Sequence, residues 1–186
     1  EGLHIDKDHF MTISPDEGSM NRAIYLANVL GVDMGMYYKR LDYSRYVNGR
    51  HPIAAYEFLG PKIEGKDMIL IDDMISSGDT IIKIASLLKE KGAGRVYICS
   101  TFGFFTDGLD KFDDAYKKGY FDKLLTTNLV YQSPELLEKP YYISCDMSKY
   151  IALLIDTLNH DGSISDLLNP SDRINNFLAK HRSPKK

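Results

Sequence analysis

MILIDDMISSGDT, residues 68–80, joins an apolar run to two adjacent aspartates and then to a loop of Ser76, Ser77, Gly78, Asp79 and Thr80. The run has the composition of a strand buried on both faces. Asp72 and Asp73 repel each other, and an interior poor in counter-charge penalises both, so a cation or a set of hydroxyls is expected beside them. Ser76 or Ser77 is placed to cap a helix beginning near Asp79, and Gly78 permits close backbone approach. The free N–H groups of such a helix start, with the hydroxyls of Ser76, Ser77 and Thr80, form a receptor for a phosphate dianion. Ionised carboxylates accept hydrogen bonds from vicinal hydroxyls and can hold Mg²⁺ directly or through water. Phosphate at one end and a diol at the other describe a sugar phosphate. The plainer alternative, a structural cap with one aspartate in solvent, explains either feature but not their coincidence.

Outward from this stretch the punctuation alternates between strand and helix. HFMTIS (9–14) reads as a strand, and MNRAIYLANVL (20–30) places Met20, Ala23, Ile24, Ala27 and Leu30 on one helical face stopped by Gly31. Strand DMGMYY (33–38) follows, and then KRLDYSRYVNGRHP (39–52), which has no sustained period and reads as a long functional loop. AAYEFLG (54–60) is an edge strand or hairpin, DMILIDDM (67–74) the central strand, and TIIKIASLLKEKG a helix with Ile81, Ile84, Ala85 and Leu88 inward. Strand 95–102, a helix near 108–118, strands 121–128 and 141–145, a helix over 147–158 and a terminal helix within 171–180 complete the order. Such alternation predicts an α/β fold, a mostly parallel central sheet with helices on both faces, whose ligands bind beyond the carboxyl ends of the strands.

The 186 residues, 44% of them hydrophobic, suit a single domain with a core of its own. Cys99 and Cys145 lie in apolar runs without CxxC or Cys/His spacing, and read as reduced core residues of a cytoplasmic protein. A net charge of −3 offers no basic field for nucleic acid, although Lys39, Arg40, Arg45 and Arg50 make one segment locally positive. No apolar stretch approaches the length of a membrane span. The chain carries no GxxxxGK[ST], no GxGxxG after a strand, no GxSxG and no HExxH, and DDMISSGDT lacks the ligand spacing of an EF-hand. His4, His9, His51, His160 and His181 are scattered without ligand spacing and receive no role. Of the tyrosines at 37, 38, 43 and 46, able to stack on a base, Tyr37 alternates like a core strand residue.

IDDMISSGDT resembles the phosphoribosyl pyrophosphate (PRPP) motif of the type I phosphoribosyltransferase fold: apolar strand, two acids, two apolar residues and a loop ending in Thr. Within that fold the chain is similar to the ribose-phosphate pyrophosphokinases, or PRPP synthetases. ISPDEGSMNRAIYLANVLG (13–31) looks like their diphosphate-loop segment, MYYKRLDYSR (36–45) like the start of their flexible catalytic loop, and KEKGAGRVYICSTFGFF (89–105) like the strand after the PRPP region. NHDGSISDLL (159–168) resembles their usual carboxyl-terminal Gly-x-Ser-x-Ser-x-Leu segment. The likeness runs in order from about residue 11 to 169 and covers only the second of the two similar halves of that family's chain.

The resemblance implies Mg²⁺-dependent transfer of the diphosphoryl group of ATP to the 1-hydroxyl of ribose 5-phosphate, giving PRPP and AMP for nucleotide biosynthesis. It assigns Asp72 and Asp73 to the ribose hydroxyls, and Ser76, Ser77, Gly78, Asp79 and Thr80 to the 5-phosphate. Asp16 and Gly18 would hold the diphosphate, Asp16 also the metal, and Lys39 and Arg40 would neutralise charge on the moving phosphoryl group. Without the likeness, Asp16 is an ordinary turn residue and Lys39 and Arg40 are solvated charges. The chain departs from the family pattern at Leu41, where a second Arg is usual, at Ser19 (Gly), at Ser76 (Asp) and at Asp79 (Gly). Two alternatives stay open: a phosphoribosyltransferase using PRPP and a nucleobase, and a non-catalytic regulatory homologue. A surface shaped for the absent amino-terminal half implies packing against that half and homo-oligomerisation.

Overall fold

A computed structural model describes residues 5–47, 49 and 51–182, without the side chains of Asp166, His181 and Arg182. His4 and Arg50 lie outside the described residues, as does the His181 side chain. The sequence reads as one domain over residues 1–186; the chain divides into two compact units, Glu1–Cys145 and Asp146–Lys186.

In the first unit the strands are β1 (Phe10–Ser14), β2 (Asp33–Leu41), β3 (Ile53–Leu59), β4 (Asp67–Ile75), β5 (Val96–Gly103), β6 (Lys123–Thr127) and β7 (Tyr142–Cys145). Its helices are α1 (Met20–Leu30), α2 (Asp79–Glu90), α3 (Asp110–Lys117) and the short α4 (Pro134–Leu137). One seven-stranded sheet runs in the order β3-β2-β1-β4-β5-β6-β7. Every neighbouring pair is parallel except β2 with β3, an antiparallel edge hairpin. The chain leaves β1 toward β2 in one direction and β4 toward β5 in the other. Right-handed crossovers therefore place α1 and α2 on opposite faces, and a crevice opens between the carboxyl ends of β1 and β4.

The residues account for this arrangement. All five residues of β1 are buried, as a strand covered on both faces requires. Thr12 Oγ1 donates to the Ala23 carbonyl of α1 at 3.1 Å, while Met11 and Ile13 face the other way, into a core shared with Ile81, Ile84 and Leu88 of α2. Gly31 ends α1 in the left-handed conformation, φ +69°. At the amino end of β4, Asp67 Oδ2 accepts from Arg95 Nε at 2.9 Å and Nη2 at 2.6 Å, and Oδ1 accepts from the Arg95 amide, pinning β4 against β5. Tyr37 is fully buried against Phe58, in line with its strand alternation. Cys99 and Cys145 are free thiols, and burial pushes Cys99 up to about 12, with Cys145 adding to the shift.

Residues 39–41, read from sequence as the start of a loop, instead continue β2: Lys39 pairs with Tyr56, Arg40 with Ala55 and Leu41 with Ile53, with a register shift between Arg40 and Leu41. Strand hydrogen bonding to β3 overrides the weak local pattern there.

The second unit holds α5 (Ser148–Asn159), α6 (Ser165–Leu168) and α7 (Ser171–Arg182). Within it, Tyr150 Oη donates to the Leu167 carbonyl at 3.0 Å, and the Arg173 guanidinium lies 5.9 Å from the centre of the Tyr150 ring. Among the described residues no helix is long and apolar enough to cross a membrane.

Candidate functional site

At the crevice, β4 carries the acid pair two residues before its end at Ile75 and then turns through residues 76–78 into α2. A cavity of about 150 Å³ opens there, lined by residues 74–81 together with Asp16 and Asp72. Ser76, Ser77, Gly78, Asp79 and Thr80 thus line it together, joined by Asp16 from just beyond the end of β1. Gly78 is the N-cap of α2 with φ +86°, and a Cβ there would lie 2.2 Å from Phe112 Cζ, so only glycine fits both the turn and its packing on α3.

The capping expected of Ser76 or Ser77 is corrected by the structure. The N-cap residue has no side chain to cap with; the Ser77 hydroxyl reaches the Asp79 amide only at 3.4 Å and donates to Asp79 Oδ2 at 2.9 Å. Ser76 Oγ lies 3.5 Å from Thr106 Oγ1. Beyond the Asp79 amide, whose bond to Ser77 is long, the first turn of α2 borders the cavity without a side-chain cap, which suits an anion.

Each acid of the pair is held from the segment that opens α1. Ser19 Oγ, on a residue only 2% exposed, donates to Asp72 Oδ1 at 2.6 Å, and that oxygen also accepts from the Asp73 amide at 2.9 Å. Arg22 Nη2 lies 3.4 Å from Asp73 Oδ2, whose other oxygen accepts from the Met74 amide at 2.9 Å. Burial raises the Asp72 carboxyl above the usual carboxylate range. The Ser19 hydroxyl and the Asp73 amide oppose that shift, and the neighbouring Asp73 and Asp16 carboxyls add to it.

Asp16 begins a 3₁₀ turn, Glu17–Ser19: its Oδ1 accepts from the Gly18 amide at 3.0 Å and its Oδ2 from Lys39 Nζ at 2.9 Å. Lys39, Leu41, Asp16, Glu17 and Gly18 line an adjoining cavity of about 370 Å³. Lys39 is therefore brought to the site. Arg40, the next residue along the strand, turns to Glu57 instead, 2.8 Å from Nε to Oε1, and the structure does not bring it to Lys39. Tyr43 and Tyr46 flank the His51 ring at 5.0 and 5.2 Å between ring centres.

Sequence reasoning missed three partners. Ser19 and Arg22 come from 53 and 51 residues before their acids. Lys111, on α3, donates to Asp79 Oδ1 at 2.7 Å and Asp107 Oδ2 at 3.1 Å, and with Ser77 it holds the Asp79 carboxyl below the usual carboxylate range. Among the described residues no three His, Cys, Asp or Glu side chains are grouped to bind a metal ion by themselves. Asp16 and Asp72 on one cavity still suit Mg²⁺, which commonly takes one or two protein carboxylates and completes its shell with phosphate and water.

The chain is similar to known proteins in sequence and in fold. The sequence model of the family described as "Phosphoribosyl transferase domain" matches residues 4–139. A ribose-phosphate pyrophosphokinase of Vibrio parahaemolyticus is 29% identical over 163 residues, covering 87% of this chain and 49% of that protein. One from Shewanella oneidensis is 31% identical over 159 residues, covering 85% and 47%. The chain spans about half the length of the curated relatives it matches. In fold, it is similar to the crystal structure of phosphoribosylpyrophosphate synthetase from Mycobacterium smegmatis, with a TM-score of 0.68 at 24% identity over 82% of this chain and 46% of that one.

Proposed function

The chain belongs to the phosphoribosyl transferase domain family, and from that premise we propose that residues 1–186 are a phosphoribosyltransferase-like domain forming the carboxyl-terminal half of a ribose-phosphate pyrophosphokinase. The observation that carries the reading is the convergence, at one crevice, of Asp72 from the acid pair, a helix amino end whose N-cap has no side chain, and an Asp16–Lys39 couple. The names of the half-length relatives support the same activity.

In this reading the 5-phosphate of ribose 5-phosphate sits in the 76–80 loop, where the α2 N–H groups and the Ser76 and Thr80 hydroxyls donate to it, and the Ser77 hydroxyl joins only on turning its proton from Asp79 Oδ2. Asp72 and Asp73 accept from the ribose hydroxyls and fix the 1-hydroxyl in line for attack. The 1-oxygen bonds to the β-phosphorus of ATP, the bond from that phosphorus to the oxygen it shares with the α-phosphate breaks, AMP leaves, and the hydroxyl proton passes to solvent. Asp16 and the Gly18 backbone position the diphosphate. Lys39, released from Asp16, neutralises charge as it builds on the transferring group; Arg40 joins only after leaving Glu57. Mg²⁺, held by Asp16 beside Asp72, would supply charge neutralisation of the polyphosphate.

The partners proposed are ribose 5-phosphate, ATP, the amino-terminal half and further copies of the chain, in the cytoplasm. A non-catalytic homologue is the second reading, favoured by Leu41 lining the cavity beside Lys39 and by Arg40 facing Glu57. Release of AMP from ATP and ribose 5-phosphate by the full-length parent supports the synthetase. Nucleotide formed from PRPP and a base, without AMP release, points to a transferase. Neither product, with ribose 5-phosphate still bound, assigns the homologue.

A further inference from the structure

Asp79 poses an electrostatic problem for the site. It is the first residue of α2, it lines the cavity, and a carboxylate there favours the helix dipole but repels an incoming phosphate dianion. The answer comes from a different element. Lys111 Nζ reaches across from α3 to Asp79 Oδ1 at 2.7 Å, with Asp107 Oδ2 on its other side at 3.1 Å. The Asp79 side chain is 73% exposed, and an ion pair so exposed adds little to folding stability. Its field, however, falls on the loop where the anion would rest. Lys111 does not line the cavity, so it acts on the ligand through Asp79.

We propose that Lys111 is a positioning residue of the phosphate subsite: by holding and neutralising Asp79 it lets the amino end of α2 accept a dianionic sugar phosphate. This rests on the ribose 5-phosphate reading above and extends it to a residue outside the loop. The same contact orients the subsite. Asp79 Oδ1 is occupied by Lys111, and Oδ2 accepts from the Ser77 hydroxyl, so the ion pair also fixes where that hydroxyl points before ligand arrives. Removing the ammonium leaves Asp79 and Asp107 together at the edge of the loop, with the ligand's charge added to theirs.

The test is calorimetric binding of ribose 5-phosphate to the full-length protein and to Lys111→Met, Lys111→Arg, Asp79→Asn and the Asp79→Asn/Lys111→Met double variant, at low and high salt. Lys111→Met is expected to weaken binding roughly tenfold at low salt, the order expected of one uncompensated charge near a dianion at a protein surface, and less at high salt. Lys111→Arg keeps the affinity. The double variant recovers most of the loss, because no carboxylate then remains at position 79 to be neutralised; a merely structural lysine gives no such rescue. Melting temperatures within about 2 °C of one another are expected, as for an exposed pair. Wild-type affinity in Lys111→Met, or a double variant as weak as Lys111→Met, overturns the proposal while leaving the subsite reading standing. Wild-type protein that binds no ribose 5-phosphate overturns both.

Discussion

Gly78→Ala tests the geometry of the loop most directly, because two separate costs meet at one atom. The residue sits at φ +86°, where an L side chain costs roughly 1–2 kcal/mol. The added methyl would lie 2.2 Å from Phe112 Cζ and 2.7 Å from Cε2, on a ring that is fully buried and edge-on to Phe105 at 5.2 Å. Overpacking of that kind costs roughly 1–3 kcal/mol. Reduced freedom of the unfolded chain returns roughly 0.4–1 kcal/mol, so the net expectation is a loss of about 1–4.5 kcal/mol, set against a typical domain's stability of about 5–15 kcal/mol. Urea denaturation followed by far-UV circular dichroism measures it; the chain has no Trp to report by fluorescence. Repeating the substitution in a Phe112→Leu background removes the clashing ring edge, and the cost of Gly78→Ala there should fall to the backbone part less the same return, about 0–1.5 kcal/mol. A Gly78→Ala protein within 0.5 kcal/mol of wild type, or an equal cost in both backgrounds, would refute the reasoning and would mean that the loop relaxes without engaging α3.

Asp73→Asn should abolish measurable ribose 5-phosphate binding with little change in melting temperature, since its carboxylate is half-exposed and held by the Met74 amide and a long Arg22 contact; intact affinity would return the acid pair to a structural role. Asp72→Asn should also lose binding yet melt no lower, or higher, than wild type at neutral pH. Burial raises the Asp72 pKa in the fold, so its favourable contribution is complete below the unfolded value and is lost as pH rises through the folded one. The amide keeps an acceptor for Ser19 and the Asp73 amide without the charge, and a clear drop in melting temperature would contradict that account. Ser19→Ala should raise the Asp72 pKa further, since the Ser19 hydroxyl now lowers it, as read by side-chain carboxyl NMR shifts against pH; an unmoved titration would show that the bond does not form in solution. Lys39→Met in the full-length parent should cut the rate of AMP release roughly a hundredfold while leaving ribose 5-phosphate affinity unchanged, and Arg40→Met should cost less; equal losses would mean that Arg40 leaves Glu57 during the reaction.

Much of the fold was legible because hydrophobic period and punctuation are local. The buried face of α2, Ile81, Ile84, Ala85 and Leu88, could be read residue by residue, and Gly31 marked the end of α1. The extension of β2 through Leu41 was not legible, since Lys39 and Arg40 owe their strand conformation to β3, more than ten residues on. The short helices Pro134–Leu137 and Ser165–Leu168 are too brief to show a period. At the site, the acid pair and the small-residue loop were visible in sequence because they are contiguous. Which hydroxyl or cation would satisfy them was not, for a reason of distance along the chain: Ser19, Arg22 and Lys111 reach their carboxylates from 53, 51 and 32 residues away. The loop's preference for an uncapped start was hidden as well. Two serines before a helix read as caps, and only the backbone shows that Gly78 takes the cap position and leaves them beside it.

The long-range partners explain how carboxylates can stand at a place meant for an anion: Asp16, Asp72 and Asp79 line the cavity, and Asp73 follows Asp72 on β4. Asp16 is met by Lys39, Asp72 by the Ser19 hydroxyl, Asp73 by Arg22 and Asp79 by Lys111. The contacts are not equivalent. Lys39 and Arg22 hold acids that the proposed ligand must itself engage, so each must give way when a diphosphate or a ribose diol arrives, and the freed cation then lies next to incoming negative charge. Ser19 and Lys111 hold oxygens that no step requires to be freed. Their bonds can persist through binding and fix the acids in place, which keeps the ordering cost out of the encounter. The departures at positions 19 and 79 fit this division: the hydroxyl of Ser19 replaces a flexible glycine with a bond to Asp72, and the acid of Asp79 arrives with a lysine to match. A glycine restored at either position should therefore loosen the site rather than open it, and Ser19→Gly should weaken ribose 5-phosphate binding even though it removes bulk from the crevice. Tighter binding by Ser19→Gly would show that the hydroxyl obstructs the ligand and that the persistent bonds are not what organises the site.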